Sequence, residues 1–271
     1  MVYVIKINGE KAPFDKSKVV RTCQRAGVSK EKAERIAAEV EASIYDGITT
    51  KKILKMVLER LEREHPKHSA KYQLRDAISK LDPEEHEFER YISKLFKAHG
   101  YKTQWDKIIE GECIEHQIDV IAEKDGKKWL LECKHHTNPH RMCGLGTVMT
   151  TWAVIDDIRR AGDDYENIWL IVNTKFSEHA VRYANAKNLI LMGWNYPEGG
   201  SLRRMIESKR MEPITILDMK PAVRNRFSKA GILLLSELIE TPSDELQRKT
   251  GLKRNTLKGL AAQAAAIINR G

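Results

Sequence analysis

The chain has 271 residues, 41% of them hydrophobic and 31% charged, and its 47 Lys and Arg against 38 Asp and Glu give a formal net charge of +9. That length exceeds one hydrophobic core, so the expectation is an α/β multidomain protein with domains at 1–82, 83–200 and 212–271, and its basic excess suits a polyanionic partner. No run approaches about eighteen apolar residues, Met1–Lys6 is too short for a signal peptide, and Cys23, Cys113, Cys133 and Cys143 show no Cys-x-x-Cys pairing, so the expectation is a cytoplasmic protein without a membrane span, a disulfide scaffold or a zinc ribbon.

Val2–Ile7 alternates as a strand, Asn8-Gly9 is a hairpin turn, and Glu10–Phe14 returns beside it. Helical apolar spacing follows over Lys16–Ala26, Lys30–Tyr45 and Thr50–Glu64, interrupted at Gly27-Val28-Ser29 and Asp46-Gly47, and a fourth helix starts after Pro66. This stretch resembles the ATP-cone, a nucleotide-sensing module of ribonucleotide reductases and their repressors. The likeness lies in Val4-Ile5-Lys6-Ile7-Asn8-Gly9, Pro13-Phe14-Asp15-Lys16-Ser17-Lys18-Val19-Val20, Tyr45-Asp46-Gly47-Ile48-Thr49-Thr50 and Ala70-Lys71-Tyr72. The resemblance implies ATP or dATP as a regulatory effector. Lys6 and Lys18 would supply point charges for a triphosphate, and Thr50 a hydroxyl and backbone donors near a helix start. The chain departs from the family at Ile7, where Arg is usual, and at Ala12, where an acid is common. A cone kept for packing or dimerisation without nucleotide is the competing reading.

Glu85–His99 carries Phe88, Tyr91, Ile92, Leu95 and Phe96 on one helical face and stops at Gly100. Gln117–Ala122 then reads as a strand, Lys124-Asp125-Gly126 as a hairpin turn and Lys127–Lys134 as the returning strand. Side chains alternate along a strand, so Glu132 and Lys134 share a face and Asp119 comes near them from the partner strand. Water attacking a phosphodiester meets a negative centre. A divalent ion, Mg²⁺ or Mn²⁺, held by the hard oxygens of Asp119 and Glu132 and by a backbone carbonyl such as that of Cys133, would neutralise it. Lys134 would orient the attacking water or hold the phosphate. A helix over Gly146–Ala161, a strand over Ile168–Val172, a helix over Ser177–Lys187 capped by Ser177 and a strand over Leu189–Met192 follow.

Asp119 with Glu132-Cys133-Lys134 in this αβββαβ context resembles the (P)D-(D/E)-x-K signature of restriction-endonuclease-like nucleases, most closely the Mrr type. The family's proline is absent, since His116-Gln117-Ile118 precedes Asp119. The resemblance implies a mixed sheet, a catalytic set of Asp119, Glu132 and Lys134, and a further acid at Glu89. The competing readings are a salt-bridged surface hairpin for the triplet and a solvated helix glutamate for Glu89. His135, His136, His140 and Cys143 cluster after the motif and could bind zinc, but in no strong spacing.

After a basic connector, short helices break at Gly231-Ile232 and Gly251-Leu252, and residues 211–271 hold ten Lys and Arg against six Asp and Glu. Ala230-Gly231-Ile232-Leu233 and Thr250-Gly251-Leu252-Lys253 resemble helix-hairpin-helix elements, whose glycine turns bring backbone N–H groups to a phosphate; Lys253 and Arg254 would add charge. A small protein-interaction domain is the alternative. Together these readings predict a Mg²⁺-dependent endodeoxyribonuclease regulated by ATP or dATP. A symmetric dimer fits, because cutting both strands needs two centres. The alternative is a nucleotide-responsive DNA-binding regulator whose nuclease fold is inactive.

Overall fold

The computed structural model describes residues 2–6, 9–25, 28–64, 66–162 and 164–268, with backbone alone for 25 and 62–72. They form two compact units, one up to Leu74 and the other Arg75–Ile268. No helix among the described residues is long and apolar enough to cross a membrane.

In the first unit, strands β1 (Tyr3–Ile5) and β2 (Lys11–Pro13) pair antiparallel around a turn in which the Gly9 N–H donates to Lys6 O at 2.9 Å. Asn8 of the expected turn lies outside the described residues. Helix α1 (Lys16–Arg25) opens on Asp15, whose carboxylate accepts the Ser17 N–H at 3.0 Å and so satisfies one of the end donors. Helix α2 (Lys30–Glu41) buries Ala33, Ile36, Ala37 and Val40. It stops short of the expected Tyr45 because the chain must turn back: Asp46 Oδ1 accepts the Tyr3 N–H and Gly47 N–H donates to Tyr3 O, both at 2.8 Å. That clamp delivers β3 (Ile48–Thr49), parallel to β1, directly into α3 (Thr50–Glu64). Helix α4 (Pro66–Ser79) continues the chain into the second unit.

The second unit opens with α5 (Glu87–Ala98), followed by an antiparallel meander of β4 (Lys102–Glu110), β5 (Glu115–Lys124) and β6 (Lys127–Lys134). Asp125 and Gly126 turn the β5–β6 hairpin with φ of 52° and 76°, the left-handed pair that a two-residue turn demands. A short β7 (Met142–Cys143) leads to α6 (Leu145–Arg160), β8 (Asn167–Val172), a short β9 (Lys175–Phe176), α7 (Glu178–Ala186) and β10 (Ile190–Met192). Ser177 Oγ accepts the Ala180 N–H and caps α7. The five-stranded mixed sheet runs β10-β8-β6-β5-β4, its last three strands in chain order lying parallel. Helices α6 and α7 pack on it through Val148, Ile155, Ile158, Ala180 and Ala184 against Leu130, Ile168, Leu170 and Val172.

Helices α8 (Leu202–Lys209), α9 (Pro221–Lys229), α10 (Leu235–Glu240), α11 (Ser243–Thr250) and α12 (Arg254–Ile268) complete the unit. The last four close a core of their own around Phe227, Leu235, Leu246, Leu257 and Leu260. These C-terminal helices lie in the same compact unit, beginning at Arg75, as the five-stranded sheet. Hydrogen bonds that a sequence does not display join these parts. Buried Tyr91 Oη donates to Met211 O at 2.6 Å, Lys94 Nζ donates to Gly231 O at 3.2 Å and pairs with Glu237, and Thr215 Oγ1 donates to Ala77 O at 2.7 Å.

The segment after β6 is fixed by Asn173, whose side chain accepts the His136 N–H and donates to His136 O, both at 2.8 Å, at a site where Asn173 is 1% exposed. Asn173→Ala would leave both His136 backbone groups unpaired in the interior. At about 1–3 kcal/mol for each such group, it is expected to lower the urea midpoint of the second unit with an unchanged slope.

Candidate active site

The β5–β6 ladder runs from the hairpin turn to Val120 opposite Leu131, so one step further along the register brings Asp119 opposite Glu132. There the backbone ladder gives way to a side chain: Asp119 Oδ2 accepts the Cys133 N–H at 2.7 Å. The other edge of β6 stays paired to β8, with Glu132 beside Leu170 and Lys134 beside Val172. Asp119 and Glu132 are half-buried, and Lys134, two residues on and thus on the face of Glu132, is exposed.

Helix α5 adds the third acid. Its first turn holds two glutamates with different fates. Glu87 is 2% exposed and accepts the Asp82 N–H at 2.6 Å, holding the helix start. Glu89, one residue beyond buried Phe88, has its Oε2 buried with no hydrogen-bond partner among the described residues.

Burial pushes the Glu132 carboxyl up to about 8, and Asp119 and Glu89 push in the same direction against Lys134. Burial also raises Asp119, opposed by the Cys133 N–H, His86 and Lys134. Glu89 is raised by burial and then by Asp119, with His86 and Lys134 opposing. Three carboxyl groups thus share one electrostatic neighbourhood, although their oxygens do not all lie within 4.8 Å of one another. His86 belongs to it as well, and the sequence offered no sign of it. It precedes α5 in a left-handed backbone conformation, φ 50°, and shares no motif with the acids.

An orphaned buried carboxylate oxygen among three mutually repelling acids fits a hard divalent cation, whose charge would relieve both the burial and the repulsion. The cost of the metal-free site has a sign. Because the Glu132 carboxyl is raised, folded and unfolded chains both hold its proton below the ordinary glutamate range. Between that range and about 8 the unfolded chain releases the proton while the folded one keeps it, so stability falls as pH rises. Glu132→Gln, which cannot ionise, is expected to melt several degrees above wild type at pH 8–9 without divalent ions. At pH 5 the gap should shrink. A scan of melting temperature against pH for both proteins checks this.

In the first unit, Lys6 follows β1 and Thr50 opens α3 directly beyond β3, so the parallel β1–β3 pair places both at one sheet end beside a helix N-terminus. Lys6 is exposed and pairs with Glu10 at 3.1 Å. Thr49 Oγ1 accepts the Lys52 N–H at 3.2 Å, leaving the Thr50 hydroxyl outside the cap. Lys18 stands in the first turn of α1, where it helps lower the Asp15 carboxyl behind the larger effect of the Ser17 hydroxyl.

The two glycine turns of the C-terminal helices differ. Gly231 (φ 74°) lies against α5, with Lys94 on its carbonyl and Arg90 Nη2 at 3.2 Å from where a Cβ would stand. Gly251 (φ 64°) is exposed and ends α11, and its carbonyl accepts from Arg226 Nη1 at 2.7 Å. Exposed Lys253 and Arg254 follow it into α12, and Arg254 pairs loosely with Asp244 at 3.3 Å.

His135 and His136 make backbone and packing contacts rather than a second site. His135 Nε2 lies 2.9 Å from Ile78 O, its ring stacks 5.3 Å from Phe88, and burial lowers both imidazoles. Among the described residues they do not converge with His140 and Cys143 on a metal-binding group. Trp194 is buried, and Tyr196 packs edge-on against Phe176, centroids 6.1 Å apart, so both serve packing.

Residues 79–196 match the family model described as restriction endonuclease, the Mrr catalytic type, and residues 2–80 match the ATP cone domain. A protein of Archaeoglobus fulgidus described as uncharacterized is 34% identical over 177 residues, 65% of this chain and 99% of that protein. A crystal structure of a protein of unknown function is 33% identical, with a TM-score of 0.62, and the likeness covers 69% of this chain and all of that one.

Proposed function

For a chain that belongs to the family of this Archaeoglobus protein and joins an ATP cone to a restriction-endonuclease-like domain, we propose a divalent-metal-dependent endodeoxyribonuclease regulated by ATP or dATP. The observation that carries it is the shared electrostatic neighbourhood of Asp119, Glu132 and Glu89 beside Lys134, with an unpartnered buried oxygen on Glu89. Asp119 and Glu132 would hold Mg²⁺ or Mn²⁺ with Glu89 alongside; when bound, the ion supplies positive charge at the scissile phosphate and a more acidic water. The chain's residues do the rest. Lys134, exposed at the strand end, donates to a phosphate oxygen and orients the attacking water. The Cys133 N–H fixes the Asp119 carboxylate, so that acid needs no rearrangement when substrate arrives.

Around this centre, the exposed turn at Gly251 with Lys253 and Arg254 contacts backbone phosphates without reading bases. Lys6, Lys18 and Thr50 hold the nucleotide triphosphate. Two chains acting together, in the cytoplasm, would cut both strands of a duplex. The test is a cleavage screen over supercoiled, linear and branched DNA with Mg²⁺ or Mn²⁺, with and without ATP or dATP. Cutting that requires the metal and responds to nucleotide is expected. Metal-dependent DNA binding with no cutting of any shape would favour an inactive regulator.

A further inference from the structure

We infer that the β4–β5 hairpin tip and helix α6 form a second metal site, one for a borderline-soft divalent cation, zinc, held by Cys113, His116 and Asp157 with Glu112. Donor atoms of Glu112, Cys113 and Asp157 all lie within 4.8 Å of one another. His116 Nε2 stands 2.8 Å from Asp157 Oδ2. Thiolate, imidazole and carboxylate are the donors of tetrahedral zinc sites, where ligand atoms sit about 2.0–2.3 Å from the ion. Glu112, Cys113 and Asp157 are the mutually close donors, and His116 joins them through Asp157, so its imidazole must swing toward the thiol to complete the set. Mg²⁺, with its preference for six oxygens, would gain little from a thiol and an imidazole.

The site is built from both sides. Asp157 Oδ1 accepts the Cys113 N–H at 3.0 Å and Oδ2 the Ile114 N–H at 3.4 Å, so the backbone orients the carboxylate as an outer-shell donor does in metal centres. Gly111 permits this approach, since a Cβ there would stand 2.0 Å from Asp157 Oδ2. Asp157 and His116 are each 14% exposed, and Cys113 is the exposed cysteine, so the cluster is shielded below and open above. One thiolate and two carboxylates exceed the ion by one negative charge, which Arg160 offsets only in part, since it lies 3.8 Å from Glu112 but pairs more closely with Asp156 at 3.1 Å. Binding releases the thiol proton to solvent.

This site is separate from the acids at Asp119. His116 lies three residues earlier on β5, about 10 Å along the strand, and on its opposite face by alternation. Its expected effect is to staple the hairpin tip to α6, and it stands whether or not the protein cuts DNA.

Cobalt reads the site directly in the full chain. Co²⁺ added to metal-free protein is expected to develop a thiolate-to-cobalt charge-transfer band with the intensity of one thiolate-bound ion per chain, which Zn²⁺ abolishes by displacement, whatever further Co²⁺ the acids at Asp119 take up. Cys113→Ser should remove the band and His116→Ala weaken binding at least about tenfold, while Asp119→Ala/Glu132→Ala should retain it. In wild type, Zn²⁺ should also slow alkylation of Cys113 at least tenfold. No band, a band that survives Cys113→Ser, or alkylation unaffected by Zn²⁺ would overturn the assignment and leave Asp157 as a hairpin clamp.

Discussion

Asp119→Ala and Glu132→Ala are each expected to abolish metal-dependent DNA cleavage, with a rate loss of at least about 10²–10³-fold, while DNA binding changes little. Each removes an oxygen donor from a cation that must sit where charge develops, so the deficit falls on the chemical step rather than on affinity. The two substitutions part company in stability. Glu132 is the more strongly raised acid, to about 8, so its removal relieves burial without undoing a hydrogen bond, whereas Asp119→Ala also strands the Cys133 N–H. Single-turnover cleavage rates with filter-binding affinities measured on the same preparations separate the effects. Equal cutting by wild type and both variants would expose a contaminating nuclease and remove the proposed site.

ATP or dATP is expected to raise the melting temperature of the first unit, and Lys6→Ala with Lys18→Ala to abolish that rise. A ligand at a hundred times its dissociation constant adds about 2.7 kcal/mol to the state that binds it, enough for a clear shift in calorimetry. Neither lysine supports the unit's core, which is built from Val4, Val19, Ile36, Val40, Ile48 and Leu61, so the unliganded variant should melt close to wild type. The Lys6–Glu10 pair is solvent-exposed and its loss should cost little. If millimolar nucleotide leaves wild type unshifted, the departures at Ile7 and Ala12 mark a cone that no longer senses nucleotide.

The β5–β6 hairpin was legible because three signals agree there. Asp125-Gly126 demands a tight turn, apolar residues alternate on both sides, and β6 continues into a parallel pair that favours the unbroken Trp129-Leu130-Leu131 run. Strand β4 was not legible by residue. As the sheet edge it exposes Trp105 and Ile108 and mixes charges along both faces, so no period emerges. Strand β3 is two residues long and exists only because Asp46 and Gly47 bind Tyr3. The same limit applied to the acids. Glu87 and Glu89 flank the apolar face of α5 on its two sides with the same charge, and only three-dimensional packing ties Glu87 to the Asp82 backbone and brings Glu89 under the electrostatic influence of Asp119. The attachment of the C-terminal helices was hidden for a related reason, since Tyr91 and Lys94 bind carbonyls more than a hundred residues away.

Anomalous diffraction from crystals soaked in Mn²⁺ tests the central proposal most directly. The expected result is a manganese peak in direct coordination with carboxylate oxygens of Asp119 and Glu132, with Glu89 turned toward it. Crystals of protein that cuts DNA with Mn²⁺, yet show no peak at these acids or a peak only elsewhere, would contradict it.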